Sequence, residues 1–240
     1  MRPALAGPVG LPSGTIRAMP QSRARVYIDG FNLYYGALKG TRYKWLDLSA
    51  WVDRLLPSST CDRIAYCTAP VKVRPDNPQA GQRQEIYLRA LSTLPNVEVI
   101  KGQFQVKTTR MPLNPDPQCE CCGTLREGCR CCEGPTVGVV KTEEKGSDVN
   151  VAVQLVADGF MDRYDVALVI SGDSDIQPAV DIVREKLGKQ VITLDPRNRR
   201  YRPLVGDEHR RARAEALGAC QFPEVITTSG GQEITRPPTW

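Results

Sequence analysis

Four aspartates stand at points where the chain leaves or enters regular structure. The apolar run LVISGDSD (168–175) ends in Asp173 and Asp175 without a lysine or arginine among its residues, Asp29 closes a second apolar run, and Asp148 follows a glycine and a serine. Gathered carboxylates raise each other's pKa values unless a cation binds between them. Mg²⁺ or Mn²⁺ prefers such oxygen ligands and accepts a phosphate as a further one. The residue types therefore predict a divalent-metal site for phosphoryl chemistry.

The spacing of apolar residues along the chain predicts the strands and helices that bring these acids together. Short runs rich in β-branched residues are typical of buried parallel strands, and they occur at 25–29, 63–67, 97–102, 165–171 and 190–195. Helical patterns alternate with them at 48–56, 78–94, 147–160 and 175–188. In the third of these helices Val149, Val153 and Val156 form an apolar stripe, and Ser147 is a suitable N-cap.

Strands that alternate with helices indicate right-handed βαβ crossovers. The predicted fold is an α/β domain with a doubly wound, mainly parallel sheet and helices on both faces. Ligands of such sheets bind outside the carboxyl ends of the strands, where Asp29 and Asp173 would meet. Helix capping is the alternative interpretation of these two residues, since strand ends commonly recruit Asp as an N-cap.

Three separated segments resemble one known family. YIDGFNLYYG (27–36), EKGSDVNVAVQL (144–155) and ALVISGDSDIQPAV (167–180) are similar to motifs of the NYN domain, a branch of the PIN-like nucleases, and in particular to the bacterial group related to the LabA proteins. The resemblance extends from Arg25 to Ile226. It implies a compact α/β/α domain with an acidic metal-binding pocket that is associated with RNA cleavage.

The resemblance also implies roles for individual residues. The matched metal ligands are Asp29, Asp148 and Asp173, with Asp175 as an outer acid and Asn32 as the asparagine of the first motif. These residues form the predicted catalytic set of a metal-dependent ribonuclease, in which metal-activated water hydrolyses a phosphodiester bond.

Phosphate contacts are assigned to residues beside those acids. Ser171 and Ser174 flank the last acid of the motif, and Lys145 could neutralise charge that builds up on the phosphate. Three other functions stay open: a non-catalytic RNA-binding or regulatory protein on the same scaffold, a DxD glycosyltransferase, and a HAD-type phosphatase. The glycosyltransferase leaves YIDGFN and KGSD without a function, and the HAD pattern DxDx[TV] lacks its final Thr or Val.

Six of the nine cysteines lie in one short segment, CECCGTLREGCRCC (119–132). Cys119 with Cys122 and Cys129 with Cys132 form two CxxC pairs, which can supply the tetrahedral thiolate set that Zn²⁺ prefers. Cys121 and Cys131 allow alternative ligand sets. The segment is predicted to be a zinc-binding insertion at 111–136.

The positive charge of the chain is concentrated in one stretch. Segment 197–213 contains seven arginines against Asp207 and Glu208, a local balance equal to the +5 of the whole chain. Arg199, Arg200 and Arg202 are therefore predicted to contact RNA phosphates. A solvated surface of arginines is the simpler alternative.

The remaining patterns concern organisation and location. Residues 1–22 are predicted to be a flexible leader, 23–228 the NYN domain and 229–240 a flexible tail. The sequence shows no membrane span and no convincing signal peptide, so a cytoplasmic location is expected. A homo-oligomer or an antitoxin-like protein partner is compatible with these patterns, and the sequence decides neither.

Overall fold

The computed structural model describes residues 21–71, 77–112, 136–198, 204–238 and 240, with the backbone alone for 142–144. The strands are β1 Ser22–Asp29, β2 Ser59–Thr68, β3 Val97–Lys101, β4 Gln103–Pro112, β5 Thr136–Lys145, β6 Val166–Ile170, β7 Gln190–Asp195, β8 Glu208–Arg211, β9 Val225–Thr227 and β10 Glu233–Thr235. The helices are α1 Gly30–Leu33, α2 Leu48–Leu55, α3 Ala80–Leu91, α4 Ser147–Phe160, α5 Gln177–Asp181 and α6 Ala214–Ala219. A π-helical turn, Tyr34–Leu38, continues α1.

Within the described ranges, six strands form one parallel sheet in the order β3-β2-β1-β6-β7-β8. Counted along the chain, the strands of this sheet follow the doubly wound order 3-2-1-4-5-6, in which the winding direction reverses between β1 and β6. The carboxyl ends of β1 and β6 therefore flank the topological switch point, where such sheets bind ligands.

Alternate residues of β1 face opposite layers of helices. Val26 belongs to a core that includes Trp51 of α2, whereas Tyr27 belongs to a second core with Val151 and Leu155 of α4. Both faces of the sheet are therefore covered, which confirms the predicted α/β fold with helices on both faces. The five predicted strands correspond to β1, β2, β3, β6 and β7.

The basic stretch contains a strand that the sequence patterns did not predict. Residues Glu208–Arg211 form β8, which pairs in parallel with β7 at the edge of the sheet. His209 lies in this edge strand, where its Nδ1 is 3.2 Å from the hydroxyl of Thr193. Charged side chains are common on edge strands, since they oppose pairing with another chain.

The buried face of α4 differs from the predicted one. Val149 and Val153 are 64% and 54% exposed, whereas Val151 and Leu155 are fully buried. Gly146, at a positive φ of 100°, precedes Ser147 as the N-cap. The stripe prediction was wrong because α4 has valines on two faces, and the buried face includes the charged Asp158.

One leucine and one valine of α4 allow a direct test of this packing. Leu155→Ala should lower the free energy of unfolding by about 2–5 kcal/mol, because it leaves a cavity in the core. Val153→Ala on the exposed face should change that free energy by about 0.5 kcal/mol or less. Urea unfolding of both variants measures the difference, and equal destabilisation would contradict this placement of α4.

The predicted insertion follows β4 in the chain. Strands β4 and β5 pair antiparallel from Gln103 opposite Lys145 to Pro112 opposite Thr136. The cysteine pairs Cys119/Cys122 and Cys129/Cys132 fall between these strands, outside the described residues, so their zinc binding stays a prediction.

The predicted tail contains part of the fold. Within 229–240, strand β10 pairs antiparallel with β9, and Ile234 is buried. The ring of Trp240 lies 5.5 Å from the ring of Tyr87 and 6.2 Å from that of Trp45. Hydrophobic contacts hold this segment against the core.

None of the helices in the described part of the chain is long and apolar enough to cross a membrane.

Candidate active site

Asp29 ends β1 and begins α1. Its carboxylate, in a residue 1% exposed, accepts a hydrogen bond of 2.9 Å from the main-chain N–H of Asn32 and a second from the side-chain amide of Asn32. The hydroxyl of Ser171 lies 3.4 Å from the same carboxylate. These contacts make Asp29 the N-cap of α1, as the capping alternative anticipated.

Hydrogen bonds join the ends of β1 and β6 at the switch point. The side-chain oxygen of Asn32 accepts from the main-chain N–H of Gly172 at 3.2 Å. The hydroxyl of Ser171 accepts from the main-chain N–H of Asp173 at 3.1 Å. The structure therefore brings Asp29, Asn32 and Ser171 together, as the resemblance implied, in a network that fixes the strand ends.

Asp173 caps the short 3₁₀ turn that follows β6. Its carboxylate accepts a hydrogen bond of 3.0 Å from the main-chain N–H of Asp175. Ser174 and Asp175 are both exposed. The turn leads directly into α5, so Asp173 lies between the end of β6 and the start of a helical segment.

The other two predicted residues lie where β5 leads into α4. Asp148 is exposed in the first turn of α4, where the helix dipole favours a carboxylate, and Lys145 is exposed at the end of β5. Burial raises the pKa of the Cys67 thiol to about 12, and Asp29 and, more weakly, Asp148 add to the rise. Both carboxylates therefore lie within electrostatic reach of one thiol.

Metal binding by these acids stays a prediction. In the part of the chain that the structure describes, no group of three or more His, Cys, Asp and Glu side chains is placed to hold a metal ion. The buried carboxylate of Asp29 is satisfied by donors of this chain. Binding of Mg²⁺ or Mn²⁺ would have to draw Asp148 and Asp173 toward it.

A cation that sequence reasoning missed lies beside the end of β6. The guanidinium of Arg197 donates to the carbonyl oxygen of Gly172, and its Nε is 3.4 Å from the buried carboxylate of Asp195. A Cβ on Gly172 would clash with the guanidinium of Arg197 and lie 2.7 Å from Oδ1 of Asp195, so a larger residue there would displace these two side chains. Arg199, Arg200 and Arg202, predicted to contact RNA, lie outside the described residues.

A cavity of about 460 Å³ opens next to Asp29, between α1, α3 and the β4–β5 hairpin. Seven of its nineteen lining residues are aromatic: Phe31, Tyr34, Tyr35, Tyr66, Tyr87, Phe104 and Trp240. The ring of Phe31 stacks on that of Tyr35 at 6.2 Å and meets the edge of Phe104 at 5.7 Å. Stacked and edge-to-face rings of this kind form a suitable surface for a planar ligand.

Gly30 sets the width of this cavity. A Cβ on Gly30 would lie 2.7 Å from Cζ of Tyr66 and 3.0 Å from the carbonyl oxygen of Cys67. The glycine therefore lets the Tyr66 ring lie against the start of α1, where it forms part of the wall.

Three cationic side chains, Lys39, Lys44 and Arg83, also line the cavity. Burial raises the pKa of the Tyr34 hydroxyl and nearby Tyr35 raises it further, whereas Arg83 opposes the rise. At neutral pH the Tyr34 hydroxyl therefore keeps its proton and can donate a hydrogen bond. Sequence reasoning missed this cavity, although Phe31, Tyr34 and Tyr35 are three and four residues apart, a spacing that places them on one helical face.

The fold and the site define an α/β protein with an aromatic cavity beside the switch point of a doubly wound sheet. Comparison with known proteins adds a relative: the chain is 31% identical over 250 residues to 6-hydroxy-3-succinoylpyridine 3-monooxygenase HspA of Pseudomonas putida, and the match covers 91% of this chain and 75% of the relative. This chain belongs to the family of that monooxygenase.

Two further comparisons add no function. No protein-family model matches the chain. A solved structure of a protein of unknown function from Vibrio parahaemolyticus matches with a TM-score of 0.48 and 15% identity, over 83% of this chain and 98% of that one. The resemblance to the NYN domain, RNA as a partner, and a homo-oligomer or antitoxin-like partner stay predictions.

The monooxygenase relative overturns the predicted function. The expectation of a ribonuclease, and of a phosphodiester hydrolase in general, was wrong, since a relative over nearly the whole chain is an oxygen-inserting enzyme. A non-catalytic RNA-binding protein and a glycosyltransferase are not retained as functions either, since the relative is an enzyme of another class, whereas RNA as a binding partner stays a prediction. The acids that suggested hydrolysis include Asp29 and Asp173, each of which caps a helical turn, a role for which Asp is a preferred residue type.

Proposed function

We propose that this chain is a monooxygenase that inserts one atom of O₂ into a heteroaromatic ring bound in the aromatic cavity. The observation that carries this proposal is the 31% identity to a monooxygenase over 91% of the chain. The relative's name specifies a pyridine ring with a hydroxyl group and a succinoyl chain. A succinoyl chain ends in a carboxylic acid, so this substrate is a planar ring with an anionic arm.

The cavity supports this class of substrate by its size and lining. Its volume of about 460 Å³ lies within the range of roughly 300–1,000 Å³ that is typical of small-molecule sites. Phe31 and Tyr35 present stacked rings, and Phe104 closes one side with its edge. Side chains of this kind hold a planar ring and exclude water from it.

The polar groups of the cavity could orient the ring. The protonated Tyr34 hydroxyl could donate to a ring nitrogen or an oxygen substituent. The amide of Gln84 is already used, since it donates to the carbonyl of Ala69 at 2.9 Å and accepts from the N–H of Val71 at 2.7 Å. These bonds hold the loop after β2 against α3, where it forms one wall of the cavity.

The reaction requires two co-reactants besides the ring. The relative's name places the reaction at ring position 3, which carries the succinoyl group and no hydrogen. Insertion of one oxygen atom into the bond between that ring carbon and the acyl carbon, with O₂, two electrons and two protons, gives an aryl ester and one water. Hydrolysis of the ester then leaves a hydroxyl group on the ring and releases the chain as a carboxylic acid. The electrons come from a two-electron donor, such as a reduced nicotinamide or a reduced flavin. The sequence contains no G-x-G-x-x-G, so the dinucleotide fingerprint does not identify the donor. The assay must therefore supply each donor class in turn.

Oxygen uptake by the purified protein tests this proposal. The substrate is 6-hydroxy-3-succinoylpyridine, with NADH or NADPH as donor, each with and without FMN or FAD. We expect substrate-dependent O₂ uptake with one product molecule per O₂ consumed, detected by mass spectrometry. Uptake without a new product would indicate only an oxidase, and no uptake with any donor would overturn the proposal.

A further inference from the structure

Three cationic side chains line the aromatic cavity. Among the residues that the structure describes, Lys39, Lys44 and Arg83 form no ion pair, although all three line the same cavity. Arginines of the sheet, in contrast, form ion pairs: Arg25 lies 2.9 Å from Asp62, and Arg63 lies 2.7 Å from Glu98. Unpaired cations that converge on a cavity favour an anionic ligand.

Arg83 is held in place by neutral groups. It lies in the first half of α3, where it donates to the side-chain oxygen of Asn77 through Nη2 and to that of Gln79 through Nη1, the latter at 3.3 Å. These amide oxygens orient the guanidinium without neutralising its charge. Within the described ranges the guanidinium makes only these two hydrogen bonds. Its other N–H groups could bind a carboxylate through two parallel hydrogen bonds.

The charge of Arg83 acts on the aromatic surface itself. It opposes the rise in the pKa of the Tyr34 hydroxyl, so the guanidinium lies within electrostatic reach of that ring. Lys39 follows the π-helical turn that contains Tyr34 and Tyr35, and its ammonium group lies 4.9 Å from the centroid of the Tyr35 ring. An aromatic surface and cationic groups are therefore side by side in one cavity.

We propose that Arg83 is the anchor of a carboxylate subsite, assisted by Lys39 and Lys44, which selects aromatic acids over neutral aromatic compounds. The ring lies on the Phe31 and Tyr35 surface while its anionic arm reaches Arg83. This proposal deepens the proposed function and rests on it for the identity of the ring. The subsite makes Arg83 a determinant of substrate specificity.

Equilibrium binding tests the subsite without any turnover. The probes are 3-succinoylpyridine and its primary amide, which differ in charge and hardly in size, measured by isothermal titration calorimetry. We expect the wild-type protein to bind the acid about 10- to 100-fold more tightly than the amide, the range expected for a hydrogen bond to a charged group. The preference should decrease as ionic strength rises.

Arg83→Gln should abolish the preference for the acid and leave amide binding within about threefold of wild type. Arg89→Gln is the matched control, since Arg89 is exposed on the same helix and does not line the cavity. This control should bind both probes like wild type. Equal wild-type binding of acid and amide, or a preference that persists in Arg83→Gln, would overturn the subsite.

Two outcomes separate this inference from the proposed function. An acid preference that Arg83→Gln removes, with no oxygen uptake under any donor, would refute the monooxygenase activity and support the subsite. Oxygen uptake without any acid preference would support the activity and refute the subsite. If Arg83→Gln proves unfolded by circular dichroism, the acid-to-amide ratio of the wild type and its salt dependence decide the question.

Discussion

Asp158→Asn should lower the free energy of unfolding by about 3–5 kcal/mol, the range for removal of one partner from a buried ion pair. The carboxylate of Asp158, 6% exposed, lies 3.0 Å from Nη1 of Arg25 and 2.7 Å from Nη1 of Arg63. It also accepts a hydrogen bond of 2.8 Å from the hydroxyl of Tyr27. The substitution leaves two largely buried guanidinium groups without their shared counter-charge.

Asp62→Asn is the matched control for this prediction. Asp62 lies 2.9 Å from Arg25 as well, but its side chain is 57% exposed. Water screens such a pair, so the control should lose about 1 kcal/mol or less. Urea unfolding of both variants at neutral pH gives the two free energies. Equal losses would show that the Asp158 network contributes no more than a surface ion pair.

Gly30→Ala should lower kcat/KM by about 10²-fold, an effect typical of misplacing an active-site group by about 1 Å. The new Cβ would lie 2.7 Å from the ring of Tyr66 and 3.0 Å from the main-chain oxygen of Cys67. The main-chain oxygen of Cys67 is held in the sheet, so we expect the Tyr66 side chain to be displaced, and this displacement changes the shape of the cavity that Tyr66 lines. Product formation at several substrate concentrations measures the loss.

The control for Gly30→Ala is Gly138→Ala in the β4–β5 hairpin. In the described part of the chain, no atom beyond Gly138 and its two neighbours in sequence lies within 4 Å of a Cβ placed on Gly138, so this variant should keep wild-type kcat/KM. Melting curves of both variants show whether the proteins are folded under the assay conditions. A folded Gly30→Ala variant with unchanged kcat/KM would place the reaction away from this cavity.

The central strands of the sheet, β1, β6 and β7, could be predicted from the sequence because most of their positions are buried. VALVI of β6 has no exposed position, and such continuous apolar runs are typical of parallel strands between two helical layers. The short edge strand β8, EHRR, has no buried position and therefore no apolar signal. The strand is defined by its pairing with β7, which local sequence does not show.

The buried face of α4 could not be predicted from spacing alone. Val149 and Val153 have the same four-residue spacing as Val151 and Leu155, so periodicity supports both faces equally. Asp158 weakens the apolar signal of the face that is buried. Its burial depends on Arg25 and Arg63, which come from two different strands.

The position of the acids could be predicted, but not their role. Asp29 lies at the carboxyl end of β1, and Asp173 lies shortly after the end of β6, as the strand pattern indicated. An aspartate serves equally as a metal ligand and as an N-cap, so residue type does not distinguish the two. Arg197 follows β7 and is 25 residues from Gly172, whose carbonyl oxygen it binds. Local sequence patterns therefore could not predict this contact.

Isotope labelling tests the central claim, that this chain inserts oxygen from O₂ into a heteroaromatic ring, most directly. The purified protein is incubated with 6-hydroxy-3-succinoylpyridine and the electron donor that supports turnover, once under ¹⁸O₂ in ordinary water and once under ordinary O₂ in H₂¹⁸O. A monooxygenase predicts a product with one ¹⁸O atom on the ring in the first experiment and none there in the second. A ring oxygen that comes from water would contradict the account, because it would identify a hydroxylase that uses water and passes two electrons to an acceptor, not a monooxygenase.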